Sequence, residues 1–417
     1  MLRTMIVAAL IGSATCTANA QVNVDALADE VEARVIAWRR HIHQNPELSY
    51  QEVRTSAYVA EALRTMPGIE VQTGIAKTGI KAVLRGGKPG PAVALRADVD
   101  ALPVEERNDL PFRSQIPGVM HACGHDTHVA MLLGAAAILS KMRADLPGTV
   151  VFFFQPAEEG GGGAFAMVKE GAMENPKVNA VFGQHIGADH PGGGIAYRRG
   201  GTMASWDNFY ITVKGTGGHA ASPWLAKDPI VTAAQIVTNL QSIVSRQIDL
   251  SQGAAVVTVG QFNAGNRANI IPEEAAIAGT IRTLIEPTRL QLREAISRMA
   301  KGIAEASGLA AEVKFIRGYP VVHNDAELVS KTLAALERAA GSDKVREIPP
   351  VMGSEDFGAF SSIAPGFYWF LNASPHADRA GAPNHSPLFI INEQYLKTGV
   401  KALVHAALEY LRASTAK

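Results

Sequence analysis

Carboxylates, imidazoles and one thiol gather at short spacings in this chain. Asp98 and Asp100 follow an apolar run, and His121-Ala-Cys123-Gly-His125-Asp126 precedes a helical pattern. Glu158 and Glu159 are adjacent, His185 closes another apolar run, and Asn384-His385-Ser386-Pro387 opens a late loop. Read as extended chain, Cys123 and His125 at i and i+2 face one side and can share a site. Thiolate, imidazole and carboxylate together suit zinc or a neighbouring first-row metal better than magnesium or calcium. A thiolate at a helix start also gains from the helix N-terminus, which lowers its pKa. A lone cysteine is ordinarily a buried, inert core residue; the histidines flanking Cys123 favour ligation. A pair of glutamates is ordinarily solvated. Glu158 and Glu159, however, follow three consecutive phenylalanines and precede Gly160–Gly163, where backbone can pass close to a site. One could hold metal while the other acts as general base on water, and position alone does not say which. His41, His43, His121 and His128 read as structural, and His190, His323 and His376 as loop histidines. The glycine run lacks the Lys-Ser/Thr of a phosphate-binding loop.

The elements that position these residues have an α/β pattern. The segments 92–97 (AVALRA), 149–155 (TVVFFFQ), 180–184 (AVFGQ) and 366–371 (GFYWFL) are nearly continuous apolar runs. Bounded by Gly, Pro and Asp, they predict strands buried on both faces of a mostly parallel sheet. Helices are expected before Asn45-Pro46, from about Ser49 to Pro67-Gly68, over Val129–Met142, over 325–340 and over 393–411. Ligands of such sheets bind outside the carboxyl ends of the strands, and the polar residues above follow those ends.

Residues 200–317 have a different texture. A strand over 208–213 is followed by a helix signalled by Asp228-Pro229, strands over 254–262 and 274–283, a helix from about Pro287 to Gly308, and a strand over 311–316. The order β-α-β-β-α-β is that of a ferredoxin-like domain. The expected division is 21–199 with 318–417 as one domain, and 200–317 as an insertion. His219 lies in the glycine-rich GTGGHAASP loop, Asn269 begins NIIP, and Arg282 ends a strand. Together they could clamp a carboxylate.

With 39 basic and 39 acidic residues among 417, the balance gives no support to nucleic-acid binding. A hydrophobic fraction of 47 % excludes general disorder, and two cysteines exclude a disulfide scaffold. Arg3, the apolar run 5–12 and Ala18-Asn19-Ala20 read as a signal peptide over residues 1–20. The chain is therefore expected to be exported, periplasmic or secreted, with no membrane span.

RRHIHQNPELSYQE (39–52), ALRADVDALPVEE (94–106), MHACGHDTHVAMLLGAA (120–136), FFQPAEEGGGGA (153–164), GGHAASP (217–223), NIIP (269–272) and GSEDF (353–357) resemble the M20 metallopeptidases. More narrowly, they resemble the amidohydrolase branch with hippurate, N-acyl-amino-acid and auxin-conjugate hydrolases. The resemblance implies a catalytic α/β domain with an inserted lid used for homodimerisation. It further implies two divalent ions (Zn, Mn, Co or Ni) and a small-molecule N-acyl amino acid as substrate, with a dipeptidase or aminopeptidase as the alternative. Position by position, Cys123, His125, Glu159, His185 and His385 become metal ligands, with Cys123 bridging, and Glu158 becomes the general base. Asp100 supports the metal shell, and Asp98 lies where other branches place a histidine ligand. His219 and Asn269 match lid residues that stabilise the oxyanion, in some relatives at a neighbouring subunit's site. Arg282 matches a position associated with the substrate carboxylate. Two departures bear on substrate preference: Trp224, where relatives often have histidine, and GADHPGGG (187–194).

Overall fold

Alternation within one strand shows how the larger unit is built. In the strand Pro147–Gln155, Val150, Phe152 and Phe154 enter one core, while Val151 and Phe153 enter another. Successive side chains leave a strand on opposite faces, so an unbroken apolar run requires cover on both. In the computed structural model, which describes residues 23–415, that cover is helical. The expected leader over residues 1–20 lies outside the described residues. Helices Val24–Gln44, His125–Lys141, Ala326–Ala340 and Leu396–Thr415 pack one face of the sheet, and the short helices Gly163–Lys169 and Gly358–Ser361 pack the other.

The sheet has eight strands in the spatial order 69–75, 79–85, 147–155, 88–98, 180–187, 366–372, 195–197, 345–347. The four central strands are parallel, and the strands beside them on either side, 79–85 and 195–197, run antiparallel to them. From Lys88–Asp98 the chain crosses first to Pro147–Gln155 on one side and then to Ala180–Gly187 on the other. That reversal opens a crevice at the carboxyl ends, where Asp98, Gln155 and Gly187 terminate their strands.

A second sheet, in the order 255–264, 274–283, 205–214, 310–317, is wholly antiparallel, with helices Pro229–Gln247 and Glu286–Ala306 on one face. This is the ferredoxin-like order anticipated above, and its core is separate from those of the large sheet. Asp228 caps its first helix by accepting from the Ile230 amide at 2.8 Å. The crossing between the units is itself structured, because Gly200–Met203 pairs with Val322–Asn324. Among the described residues, no helix is long and apolar enough to cross a membrane.

One half-buried histidine on the last helix makes the fold acid-sensitive. Burial, with Arg338 nearby, lowers the His405 pKa to about 4 from 6.5. The unfolded chain therefore takes up this proton at higher pH than the folded one. The stability His405 supplies is complete above pH 6.5 and is lost as pH falls from 6.5 through 4. In His405→Gln this dependence disappears. The gap in Tm between the metal-free wild type and the variant should narrow on acidification, and a gap constant from pH 7.5 to 4 would refute the assignment.

Candidate metal centre and catalytic cleft

The cluster is assembled by a turn rather than by an extended segment. Gly124 has φ +90° and sits at the N-cap of the helix His125–Lys141, so His125 begins that helix four residues before the expected Val129. The i/i+2 argument for Cys123 and His125 is therefore corrected: the left-handed Gly124 folds the two toward each other. A Cβ there would lie 2.6 Å from Ile186 Cγ2, so the turn admits only glycine. Asn384 Nδ2 donates to the carbonyls of Cys123 (2.9 Å) and Ile186 (3.2 Å), and the His385 amide donates to Ala122 O at 2.8 Å. The late loop is thereby fastened over the early one.

Five side chains converge there. Ligand atoms of Cys123, His125 and His185 lie within 4.8 Å of one another, as do those of Cys123, Glu159 and His385, so the two sets share the thiol. Cys123 Sγ is 3.4 Å from His185 Nε2, and His385 Nε2 is 3.2 Å from Glu159 Oε1. His125 Nδ1 is 2.8 Å from Asp100 O and His185 Nδ1 is 2.7 Å from Ile186 O. Hydrogen bonds of this kind place the proton on Nδ1 and leave Nε2 as the donor to a metal. His125 Nε2 is buried without a hydrogen-bond partner. The donor set and this orphaned atom fit two divalent cations.

The electrostatics agree. Burial pushes the Cys123 thiol up, against the helix-terminus lowering anticipated from sequence. Burial also lowers His185, to about 3. It opposes the charge on His125 as well, but Asp98 and Cys123 outweigh it and hold His125 well above its ordinary value. Hydrogen bonds to Cys123 and Glu159 raise His385 to about 10. Without a cation the cluster retains protons, and metal binding displaces them. Cys123→Ser should weaken metal affinity by at least roughly 100-fold, more than outer-shell changes do. Wild-type stoichiometry after dialysis, measured by elemental analysis, would refute a shared thiolate.

Asp100 acts through backbone. Its Oδ1 accepts from the Glu158 amide (3.0 Å), and its Oδ2 from the Glu159 amide (3.1 Å) and from Ser49 Oγ (2.6 Å). Tyr319 Oη donates to Glu158 O at 2.6 Å and accepts from the Gly160 and Gly162 amides at 3.0 and 3.3 Å. The glutamate loop is thus pinned at both ends. Burial, with the charges of Glu355, Asp356 and Glu159, pushes Glu158 well above the usual carboxylate range. Glu158, Glu355 and Asp356 lie within 4.8 Å of one another. Arg96 braces this group from beneath: Nη1 donates to Asp98 at 2.7 Å, Nη2 to Glu355 at 2.7 Å and Asp356 at 3.0 Å, and Nε to Gln155 at 2.7 Å. Asp98 also contacts His128 Nδ1 at 2.5 Å, while His128 Nε2 accepts from the Ile186 amide. With both ring nitrogens engaged, His128 is structural. Arg96, Glu355 and Tyr319 were missed in the sequence. The signal available was an arginine inside an apolar strand and the acidic pair of the GSEDF segment.

The cavity over the cluster measures about 750 Å3 and reaches the second sheet. Arg282 lines it, half-buried, with Nη1 donating to Ser354 Oγ at 2.9 Å. His219 and Asn269 do not. They lie exposed on the ribbon pairing Gly218–His219 with Ile270–Ile271, so the expected three-residue clamp is corrected. The register explains the separation: Trp206 pairs with Arg282, whereas Lys214 pairs with Glu274 at the other end of the same strands. Eight residues of strand, about 27 Å, separate Arg282 from the end of the sheet that leads into the ribbon. Trp224 is also exposed, at 77 %, and away from the cavity. Gly187, Asp189 and His190 of the divergent 187–194 segment line it.

Residues 94–409 match the model of peptidase family M20/M25/M40. An N-acyl-L-amino acid amidohydrolase of Geobacillus stearothermophilus is 46 % identical over 301 residues, covering 72 % of this chain and 80 % of its own. Thermostable carboxypeptidase 2 of Saccharolobus solfataricus is 44 % identical over 383 residues, covering 91 % and 95 %. A solved Bacillus subtilis structure, described as a dinuclear metal-binding peptidase of family M20, superposes with a TM-score of 0.78. It is 36 % identical and covers 92 % of this chain and 99 % of its own.

Proposed function

The chain belongs to peptidase family M20/M25/M40, and from that premise we propose that it hydrolyses the amide bond of N-acyl amino acids, releasing a carboxylic acid and a free amino acid. The observation that carries this reading is Glu158. It is a buried carboxylate set against His125 and Glu159, one member of each of two donor sets that share a thiol, in a cleft also lined by Arg282.

Cys123, His125 and His185 would hold one ion, and Cys123, Glu159 and His385 the other. When bound, the two ions supply Lewis acidity to the amide carbonyl and to water. Glu158 takes the proton of the attacking water and returns it to the departing nitrogen. Asp100 and Tyr319 fix the backbone of Glu158, so its carboxylate keeps one position through both transfers. Arg282 pairs with the substrate carboxylate and sets which end of the amide lies over the metals. His219 and Asn269, remote from their own cleft, serve the oxyanion of a neighbouring copy in a homodimer formed through residues 200–317. The leader over residues 1–20 directs the chain out of the cytoplasm, to the periplasm or the medium.

The test is turnover by the purified chain, with and without chelator and added Zn²⁺, Mn²⁺ or Co²⁺. The panel pairs N-acetyl and N-benzoyl amino acids with free dipeptides. Metal-dependent cleavage of the acylated set is the expected result. Cleavage of dipeptides alone would overturn it in favour of a dipeptidase or aminopeptidase.

A further inference from the structure

A second cavity, of about 860 Å3, shares no lining residue with the catalytic cleft. The wall between them is the crossing from one unit to the other. Met203, Tyr319 and Val351 face the cleft, while their chain neighbours Gly201, Pro320 and Pro350 face the second cavity. The two spaces therefore lie on opposite sides of the same hinge. A Cβ at Gly201 would stand 2.5 Å from Leu284 O, so the back of the hinge is in close contact.

The walls of this back cavity are cationic and partly apolar. Arg198 and His323 come from the large unit and its crossing, and Arg317 from the end of the small sheet. The one acidic residue lining it is Glu286, which is already engaged: Oε1 accepts from Arg289 at 3.0 Å and Oε2 from the Val321 amide at 3.4 Å. Arg198 Nε is buried with no hydrogen-bond partner, and Nη1 reaches Ile348 O at 3.3 Å. Neither Arg198 nor Arg317 is ion-paired among the described residues, and two unpaired guanidiniums lining one cavity call for an anion. Phe165, Leu284 and Val321 supply apolar surface beside it.

We propose that this back cavity binds a small organic carboxylate with an apolar body, and that the bound anion holds the two units at their open angle. The His385 side chain is 56 % exposed, so the cleft is open in this conformation. Narrowing the cleft swings the units about the crossing and widens the space behind it. An anion contacting Arg198 on one unit and Arg317 on the other resists that swing. It slows turnover without occupying the cleft. The proposal goes beyond the amidohydrolase reading, and its binding arm does not depend on turnover.

The experiment titrates the zinc-loaded full chain calorimetrically with benzoate. The wild type should show two sites, one at the metals and one at the hinge, and Arg198→Gln/Arg317→Gln should lose the hinge site while retaining the other. Inorganic phosphate should bind the hinge site about tenfold more weakly; equal binding would overturn the requirement for an apolar body. Should the double variant lose its folded Tm, His323→Gln, an exposed position, replaces it and should weaken the same site. With an N-acyl substrate, benzoate inhibition should persist at saturation in the wild type and become purely competitive in the variant, at unchanged uninhibited kcat. An identical two-site titration in wild type and variants, or a single site in all of them, would overturn the proposal.

Discussion

Glu158→Gln should leave both metals bound and lower kcat by about 10³-fold, within the range set by general acid–base catalysis and worth roughly 4 kcal/mol in the barrier. The expectation rests on separating holding from proton transfer. The metal-holding sets that share Cys123 do not need Glu158. The loop carrying it is fixed through main-chain bonds to Asp100 and Tyr319 that an amide side chain leaves in place. The substitution is isosteric and removes the basic oxygen. It also relieves the repulsion that Glu355 and Asp356 impose on Glu158, so the variant should be at least as stable as the wild type. Unchanged turnover, or loss of metal in parallel with activity, would each sink the assignment.

The second large effect concerns stability. Arg96 is fully buried, and three carboxylates, Asp98, Glu355 and Asp356, hydrogen-bond to it. Although burial opposes ionisation of Asp98, the Arg96 charge, with His125 and His128, keeps that carboxyl well below its usual range. Removing one partner of a buried ionic array typically costs about 3–5 kcal/mol, because the remaining charges lose compensation. Arg96→Leu should therefore lose ~3–5 kcal/mol in denaturant unfolding, a large share of the ~5–15 kcal/mol that keeps a protein folded. Arg96→Lys should recover part of this, since it restores charge without the planar fork. A loss below about 1 kcal/mol in Arg96→Leu would show that the surrounding acids are neutral and need no counter-charge.

The contrast between these two sites shows what a linear sequence discloses. The Glu158–Glu159 pair was visible because its neighbours are diagnostic, an apolar strand before it and a glycine run after it, while the choice of Glu158 as base came from the family resemblance. The four central strands were visible because burial on both faces demands an unbroken apolar run. The start of the helix at His125 was hidden, since the first turn of a fully buried helix holds His125, Asp126 and His128, which look like loop residues. The Arg96 array was hidden by distance, as its partners at 355 and 356 arrive through a loop beyond the inserted domain. The clamp joining His219, Asn269 and Arg282 failed for a geometric reason. Residues near strand ends can belong to either end of a sheet, and only the register decides.

Because strand Gly366–Asn372 pairs with Ala180–Gly187 across the whole insertion, the two units are completed in a fixed order as the chain is made. The inserted sheet is complete once Arg317 has been synthesised, whereas the large sheet still lacks a central strand and the donor cluster lacks His385. At ~5–20 residues per second the intervening stretch takes roughly 3–14 s. During that interval the Cys123 thiol, 7 % exposed in the finished protein, has neither its loop nor its metals to cover it. Its vulnerability to oxidants or alkylating agents is therefore greatest in the nascent chain, before the His385 loop and the metals cover it.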